Sequence, residues 1–242
     1  MGLKSSLFDC LFQRQVNTRV QNALRGHRAL GYLNRSYSQE GEDLVLARYF
    51  EGQKSGFFVD IGAHHPFRFS NTYHFYLKGW RGINVDAMPG TMDLFRAERP
   101  EDINIEAGVG AGEESLRYHI FNESALNTFD PEHVAKFEAL DAYQVEKIVE
   151  VEMRSLRDIL EKNLTGSKEI DFLSVDVEGL DLEVLRSNDW KIFRPKVVIF
   201  EESPAPGVPA EIGGETCQFL ESNGYKFLAK GIRSIFYERR EP

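Results

Sequence analysis

The chain has 242 residues, of which 42% are hydrophobic and 28% charged, and this ordinary composition suits one soluble α/β domain with a substantial core. Its net charge of −9 argues against general nucleic-acid binding, in which a basic face supplies most of the affinity. The only two cysteines, Cys10 and Cys217, provide neither a disulfide framework nor zinc-ligand spacing, so a reducing cytoplasm is expected.

Residues 1–35 differ from the rest of the chain in charge. They carry six basic side chains and one acid, about +5 against about −14 for residues 36–242. Their polarity excludes a membrane span, and no signal-peptide cleavage pattern follows. Apolar residues recur at helical spacing, which predicts a helix packing on its own domain or on a second subunit. Two alternatives stay open: a basic amphipathic helix on the anionic inner face of a membrane, or disorder.

Residues 36–242 are predicted to form one domain in which strands and helices alternate. Helices are expected from Ser38 to Phe50, Thr72 to Lys78, Thr91 to Arg99, Pro131 to Leu140, from Ser155 onward, over residues 180–188 and from Glu215 to Asn223. Strands are expected at Phe57–Val59, Ile83–Val85, Ile103–Val109, Leu116–Phe121, Ala125–Phe129, Lys147–Met153, Phe172–Val175 and Lys196–Phe200. Pro204, Pro206 and Pro209 mark a loop, and residues 225–237 close the chain with an antiparallel hairpin.

Two acidic residues stand at the ends of apolar runs, where an α/β fold holds a nucleoside. Asp60 and Gly62 follow the first run, and Asp86 ends the next, after a loop and a helix. In such a pattern the loop supplies backbone donors, and the second acid accepts hydrogen bonds from ribose hydroxyls. The first loop has Gly62 but no second or third glycine, because His64 and His65 stand there instead.

The chain resembles the FkbM-type branch of class I S-adenosylmethionine-dependent methyltransferases over roughly residues 37–203. The resemblance rests on five strings in order: YSQEGED at 37–43, VDIGAHHP at 59–66, FSNT at 69–72, GWRGINVD at 79–86 and IDFLSVDVEG at 170–179. It implies a Rossmann-like, mostly parallel sheet with helices on both faces and a C-terminal antiparallel hairpin.

The resemblance also implies S-adenosylmethionine as the cofactor. The first loop would hold its methionine part, Asp86 its ribose, and Ala107 to Val109 would lie beside its adenine. Asn71 either reaches the cofactor's carboxylate or only caps its helix, and Asp60 either contacts the cofactor or caps backbone amides. The candidate cofactor-binding residues are Asp60, Gly62, His64, Asn71, Asp86, Ala107 and Gly108.

Three residues are the candidates for proton transfer: Asp176, Glu178 and His65. Two carboxylates this close raise each other's pKa, which suits a general base. Asp181 follows them but is expected to serve the first turn of the next helix. His64 and His65 have three possible roles: one is a general base, both stabilise the loop, or they join the acids at a metal. No metal site is predicted, because the spacing gives no support for one.

These residues favour a cytoplasmic methyltransferase, and a peripheral position at the inner face of the membrane is the alternative location. The resemblance implies hydroxyls of sugars, glycans or natural products as acceptors. An oxidoreductase or epimerase that binds NAD or a nucleotide sugar is the first alternative, against which the missing G-x-G-x-x-G motif counts. A non-catalytic module is the second, against which three acids at strand ends count.

Overall fold

A seven-stranded sheet organises the fold in the computed structural model, which describes residues 33–111, 114–164, 169–202 and 212–241. The strands of the chain are β1 (Phe57–Ile61), β2 (Arg81–Asp86), β3 (Ile103–Glu106), β4 (Gly108–Val109), β5 (Ser115–Phe121), β6 (Val145–Arg154), β7 (Phe172–Val175), β8 (Val197–Glu201), β9 (Tyr225–Lys230) and β10 (Ser234–Arg239). The sheet order is β3-β2-β1-β7-β8-β10-β9, parallel from β3 to β8 and antiparallel at β10. The predicted parallel sheet with a closing hairpin is confirmed.

Helices cover both faces of this sheet. They are α1 (Glu42–Tyr49), α2 (Tyr73–Leu77), α3 (Thr91–Glu98), α4 (Pro131–Glu138), α5 (Leu156–Asn163), α6 (Asp181–Arg186) and α7 (Glu215–Ser222). Strand side chains alternate between the faces: Val59 and Ile61 pack in the cluster that holds α5, α6 and α7, whereas Phe58 packs with α1 and α2. All five residues of β1 are buried. The class I methyltransferase fold predicted from the sequence is therefore confirmed.

A second, three-stranded sheet inserted between β3 and β7 departs from the prediction. Its order is β4-β6-β5, and the β5–β6 pair is antiparallel. The strand predicted over Ile103–Val109 is divided, because its first part stays in the main sheet and Gly108–Val109 pairs with β6. The strand predicted at Ala125–Phe129 is wrong: residues Ser124–Leu126 form a 3₁₀ turn, and only Thr128 bridges to His119.

The segment just before α1 is tied to the C-terminal hairpin. The Glu40 carboxylate accepts the backbone N–H groups of Ile232 and Arg233, both at 2.9 Å. Buried Glu42 accepts the Ser234 hydroxyl at 2.7 Å. These bonds join residues near the start of the domain to its last two strands.

The chain divides into two units, Met1–Arg35 and Ser36–Pro242. The helix predicted in the first unit lies outside the described residues, as do Cys10 and the proline loop. Across the described ranges, none of the helices has both the length and the apolar character that crossing a membrane would require.

A chain that begins at Ser36 is expected to fold and to bind cofactor. Its first residue still donates a hydrogen bond to Asp43 at 2.6 Å, and the bonds of Glu40 and Glu42 are retained. A chain that begins at Val45 loses several charge-assisted hydrogen bonds, so its Tm should fall by roughly 10 °C or more. Calorimetric unfolding of both proteins beside the full chain checks this. An insoluble or unfolded Ser36 protein would show that residues 1–35 belong to the core.

Candidate active site

A cavity of about 450 Å³ opens at the carboxyl ends of the parallel strands, where such sheets bind their ligands. Segments far apart in the chain line it. They are the loop after β1, residues 85–91 at the end of β2 and beyond, residues 107–109, the insertion around residues 124–129, residues 176–178 after β7, and single residues that include Gln39, Tyr118 and Arg233. The volume lies in the range of small-molecule sites.

Gly62 brings the first loop against the end of β7. Its backbone φ is +80°, and a Cβ there would lie 1.8 Å from the carbonyl oxygen of Asp176. Any side chain would therefore force β1 and β7 apart. The amides of Gly62 and Ala63 donate to the carbonyl of Val85 at 2.9 and 3.0 Å, which fixes the loop to β2 as well. The predicted cofactor residue Gly62 thus lies at the cavity, where it allows the loop's tight backbone geometry.

Asp86 lies at the cavity with its carboxylate held from both sides. One oxygen accepts the N–H of His64 at 2.7 Å, and the other accepts the N–H of Met88 at 2.8 Å. Asp86 is only 7% exposed. Burial raises the pKa of its carboxyl group to about 6, although the two N–H donors oppose that shift. Each carboxylate oxygen keeps a lone pair for a further donor. Asp86 can therefore accept two hydroxyl groups from a ligand.

The two histidines of the first loop line the cavity but differ in their contacts. The Nδ1 atom of His65 accepts the N–H groups of Phe67 and Arg68 at 3.3 and 3.2 Å. Burial, with smaller contributions from His64 and Arg68, lowers the pKa of His65 to about 4. An imidazole whose acceptor nitrogen is already used for the loop is a poor general base. The geometry therefore gives His65 the loop-stabilising role rather than the catalytic one.

His64 adopts the left-handed backbone region, with φ of 53°. Its Nε2 lies 3.5 Å from the Arg68 guanidinium. Burial and that neighbouring cation lower the pKa of His64. His64 therefore faces the cavity as a neutral ring, and its backbone N–H is the one that orients Asp86.

Asp176 and Glu178 also line the cavity, at the end of β7. Burial raises the pKa of Asp176 to about 6, and Arg233 opposes the shift. Burial and then the charge of Asp176 raise the pKa of Glu178 well above its usual range. Burial and the repulsion between the two carboxylates therefore favour a proton on Glu178, and a pKa of about 6 leaves Asp176 largely ionised at neutral pH. The Oδ1 atom of Asp176 is buried without a hydrogen-bond partner among the described residues, so it is available to a bound molecule.

Asp181 is the fully buried acid behind this pair. Its carboxylate faces the N–H of Glu201 at 3.1 Å and that of Val177 at 3.5 Å. These contacts tie the loop after β7 to the end of β8, which agrees with the structural role expected for Asp181. Within the described ranges, no three metal-ligating side chains are placed to hold a metal ion.

Arg233 is a cation at this acidic end that the sequence analysis did not identify. Its guanidinium pairs with Glu201 at 2.9 Å and with Glu40 at 3.4 Å. Burial and nearby carboxylates raise the pKa of Glu201 to about 9. Arg233 lies in the turn between β9 and β10, almost two hundred positions from Glu40. No local pattern in the sequence indicates that pairing.

Asp60 and Asn71, two predicted cofactor residues, are not brought to the cavity. The buried Asp60 carboxylate accepts the Thr72 hydroxyl at 2.8 Å, and Asn71 donates to the Ser174 hydroxyl at 3.0 Å. Thr72 accepts a bond from Arg99 at 3.0 Å. Asp60 precedes the last residue of β1, so alternation turns its side chain to the face opposite Ile61. The contacts of Asp60 therefore support the first loop from the side that faces away from the cavity.

Arg99 forms an ion pair with Asp102 at 2.8 Å, and both side chains are fully buried. Asp102 also accepts the N–H of Gly82 at 2.9 Å and faces the Asn84 amide at 3.2 Å. Arg99 thereby connects β2 with the Thr72–Asp60 contact. We refer to Asp60, Thr72, Arg99 and Asp102 as the buried polar network.

The insertion supplies the remaining wall, near Ala107 and Gly108. Tyr118 and Phe129 are in ring contact, with centroids 4.6 Å apart, and both line the cavity. Asn127 accepts the N–H of Phe121 at 2.8 Å and also faces the cavity. Ala107 and Gly108 lie at the cavity as predicted. The aromatic wall was missed because the sequence pattern places Tyr118 on a strand without indicating what that strand covers.

These features fit the cofactor implied by the resemblance. Asp86 has lone pairs for two ribose hydroxyls, and Gly62 lets the first loop pack closely against the end of β7 at the edge of the cavity. Gly62, His64, Asp86, Ala107 and Gly108 would hold the cofactor, whereas Asp60 and Asn71 would act through other residues.

The comparison with protein families gives one match. The family model described as the methyltransferase FkbM domain matches residues 60–227, which is more than half of the chain. The matched range includes β1, Asp86 and the acids after β7. No curated protein sequence gives a significant match.

Among solved structures, the chain is similar to several methyltransferases at low identity. One is a TehB-like S-adenosylmethionine-dependent methyltransferase from Corynebacterium glutamicum, with 10% identity, TM-score 0.41 and coverage of 93% of this chain and 99% of that one. Another is precorrin-6y C5,15-methyltransferase from Geobacter metallireducens, with 12% identity, TM-score 0.41 and coverage of 81% and 88%. A third is the glycopeptide N-methyltransferase MtfA complexed with sinefungin, with 10% identity, TM-score 0.38 and coverage of 87% and 90%.

Replacing Asp86 by alanine should weaken the binding of S-adenosylhomocysteine at least about tenfold, because two hydroxyls lose a buried acceptor. Titration calorimetry measures this, with Asp93→Ala on the surface of α3 as the control. Because the pKa of Asp86 is about 6, wild-type affinity should also fall as the pH is lowered through about 6. That fall should be smaller in the alanine variant. Unchanged affinity would remove Asp86 from the site.

Proposed function

This chain belongs to the FkbM methyltransferase family and is an S-adenosylmethionine-dependent methyltransferase, and we propose that it methylates a hydroxyl oxygen of a sugar, a glycan or a natural product. When bound, S-adenosylmethionine supplies an electrophilic methyl group. The chain must therefore orient an acceptor oxygen and take up its proton. Family membership decides against the oxidoreductase and non-catalytic alternatives.

The observation that carries the hydroxyl proposal is the pair Asp176 and Glu178 at the cavity. A neutral hydroxyl must lose its proton when its oxygen is methylated, so it needs a base near the reacting atoms. Asp176 is ionised near neutral pH and has a buried oxygen without a partner among the described residues. We assign Asp176 as the proton acceptor.

Glu178 complements Asp176 because burial and the charge of Asp176 favour its protonated form. A protonated carboxyl donates one hydrogen bond and accepts others. Glu178 can therefore orient the acceptor oxygen while Asp176 takes the proton. The pair resembles other carboxyl pairs in which neighbouring environments separate an acid from a base.

The partner and the location are also proposed from charge. We propose that the protein works in the cytoplasm and that residues 1–35, with six basic side chains and one acid, mediate an association. A second copy of the chain is the first candidate partner. An anionic membrane surface at which lipid-linked acceptors are found is the second.

Labelled methyl transfer tests the acceptor class. Purified protein and S-adenosylmethionine labelled at its methyl group are incubated with an extract of cells that lack the gene. Label should enter a product whose methyl group is bonded to oxygen, as mass spectrometry and NMR can establish. A methyl group found only on nitrogen or carbon would contradict the proposal.

Asp176→Asn should reduce turnover by roughly 10²–10⁴-fold, the range of a lost general base, with the affinity for S-adenosylhomocysteine retained. Glu178→Gln should cost no more than about tenfold, because the amide still donates a hydrogen bond. Wild-type turnover should rise with pH through about 6, as Asp176 loses its proton.

The same labelled-transfer assay over a pH series measures these effects. Asp158→Asn on α5 serves as the control for the change of acid to amide. Full activity in Asp176→Asn would move the proton acceptor to another group.

Removing residues 1–35 should abolish an association without affecting cofactor binding. Light scattering should show a smaller assembly for the chain beginning at Ser36, if the partner is a second copy. Sedimentation with vesicles of anionic and neutral lipid tests the membrane alternative. Identical behaviour of both chains in both assays would contradict the proposal.

A further inference from the structure

Glu178 is held in a backbone conformation that side chains rarely adopt. In the described ranges, three non-glycine residues have positive φ: His64 at 53°, Phe69 at 57° and Glu178 at 51°. All three line the cavity. Such conformations persist only where surrounding contacts maintain them, and they cluster at functional sites. The contacts that maintain Glu178 therefore bear on the reaction.

Thr128 of the insertion makes one of these contacts. Its hydroxyl donates to the carbonyl oxygen of Glu178 at 2.9 Å and accepts the N–H of Asp130 at 2.9 Å. Thr128 is fully buried. Its backbone is fixed independently, because it exchanges two hydrogen bonds with His119 of β5. The hydroxyl thus connects a rigid position of the insertion to the Glu178 peptide.

The next residue shows how closely the insertion approaches this loop. Gly179 has φ of +105°, and a Cβ there would lie 2.1 Å from the Nδ1 atom of His133 on α4. His133 also lies 3.3 Å from Asp130, whose own N–H Thr128 accepts. Thr128, Asp130 and His133 therefore enclose the Glu178–Gly179 peptide from the side of the insertion.

We propose that Thr128 is a positioning residue for methyl transfer, which holds the Glu178 backbone so that its carboxyl group faces the acceptor beside Asp176. This inference rests on the proposed role of Glu178. The insertion then has two roles. Asn127 and Phe129 form part of the cavity wall, and Thr128 positions the loop after β7 that contains Glu178.

The test compares Thr128→Val with Thr128→Ser in the full chain. Valine keeps the shape of the side chain and the backbone hydrogen bonds to His119 but has no hydroxyl. Serine keeps the hydroxyl. Thr216→Val, at a buried threonine of α7 outside the cavity lining, controls for the general effect of this change. Three quantities are measured: affinity for S-adenosylhomocysteine, amide hydrogen exchange of residues 176–181, and labelled methyl transfer to the extract of cells lacking the gene.

In Thr128→Val, exchange of residues 176–181 should accelerate roughly fivefold or more through the loss of one hydrogen bond. Transfer should fall by about 10- to 100-fold, as for a misplaced catalytic group. Affinity for S-adenosylhomocysteine should stay within about threefold of wild type, a smaller change than the loss of at least about tenfold expected for Asp86→Ala. Thr128→Ser should restore exchange and transfer, and Thr216→Val should change neither.

Two results overturn the inference: unchanged exchange in Thr128→Val, or faster exchange with undiminished transfer. Failure of the proposed function would give a different result from failure of this inference. If the wild-type protein forms no oxygen-methylated product, the acceptor class is wrong, and the exchange measurement still decides whether Thr128 holds the loop.

Discussion

The buried Arg99–Asp102 ion pair is the constraint on which the geometry of the site depends. Both side chains are fully buried, so removing either partner would leave an uncompensated charge and cost about 3–5 kcal/mol. Asp102 fixes β2 through Gly82, and Arg99 reaches the Thr72–Asp60 contact on β1. The buried polar network therefore aligns the two strands whose ends form the cofactor side of the cavity. Asp60 contributes to this alignment and is not among the residues that line the cavity.

The sequence predicted the sheet and the position of several candidate residues at one edge of it, because both depend on local patterns. Strands that alternate with helices form a parallel sheet, and residues after the carboxyl ends of its strands meet at one edge. Gly62, Asp86 and Asp176 accordingly lie at the cavity. The orientation of Asp60 was missed because one position along a strand reverses the face of the side chain. The contacts of the His65 ring were not predicted, because the sequence does not show which ring nitrogen the loop uses.

The rest of the cavity depends on contacts between distant segments, which explains why the sequence did not predict it. Arg233 comes from the last hairpin, Tyr118 and Thr128 from the insertion, and Gln39 from the segment before α1. The cavity has one acidic end, at which the Arg233 guanidinium offsets the charge of several carboxylates, including those of Glu40 and Glu201. Such an end raises the pKa values of its buried carboxyls, which is how active sites tune their acids and bases.

The hydrogen bond between Glu40 and Arg233 joins positions 193 residues apart. During synthesis the N-terminal strands leave the ribosome long before the last hairpin does, so a nascent chain has the cofactor loop while the acidic end is still open. Contacts of such long range make folding slow compared with that of helical proteins. The order of synthesis thus means that the acidic end of the cavity can close only after the last hairpin has been made.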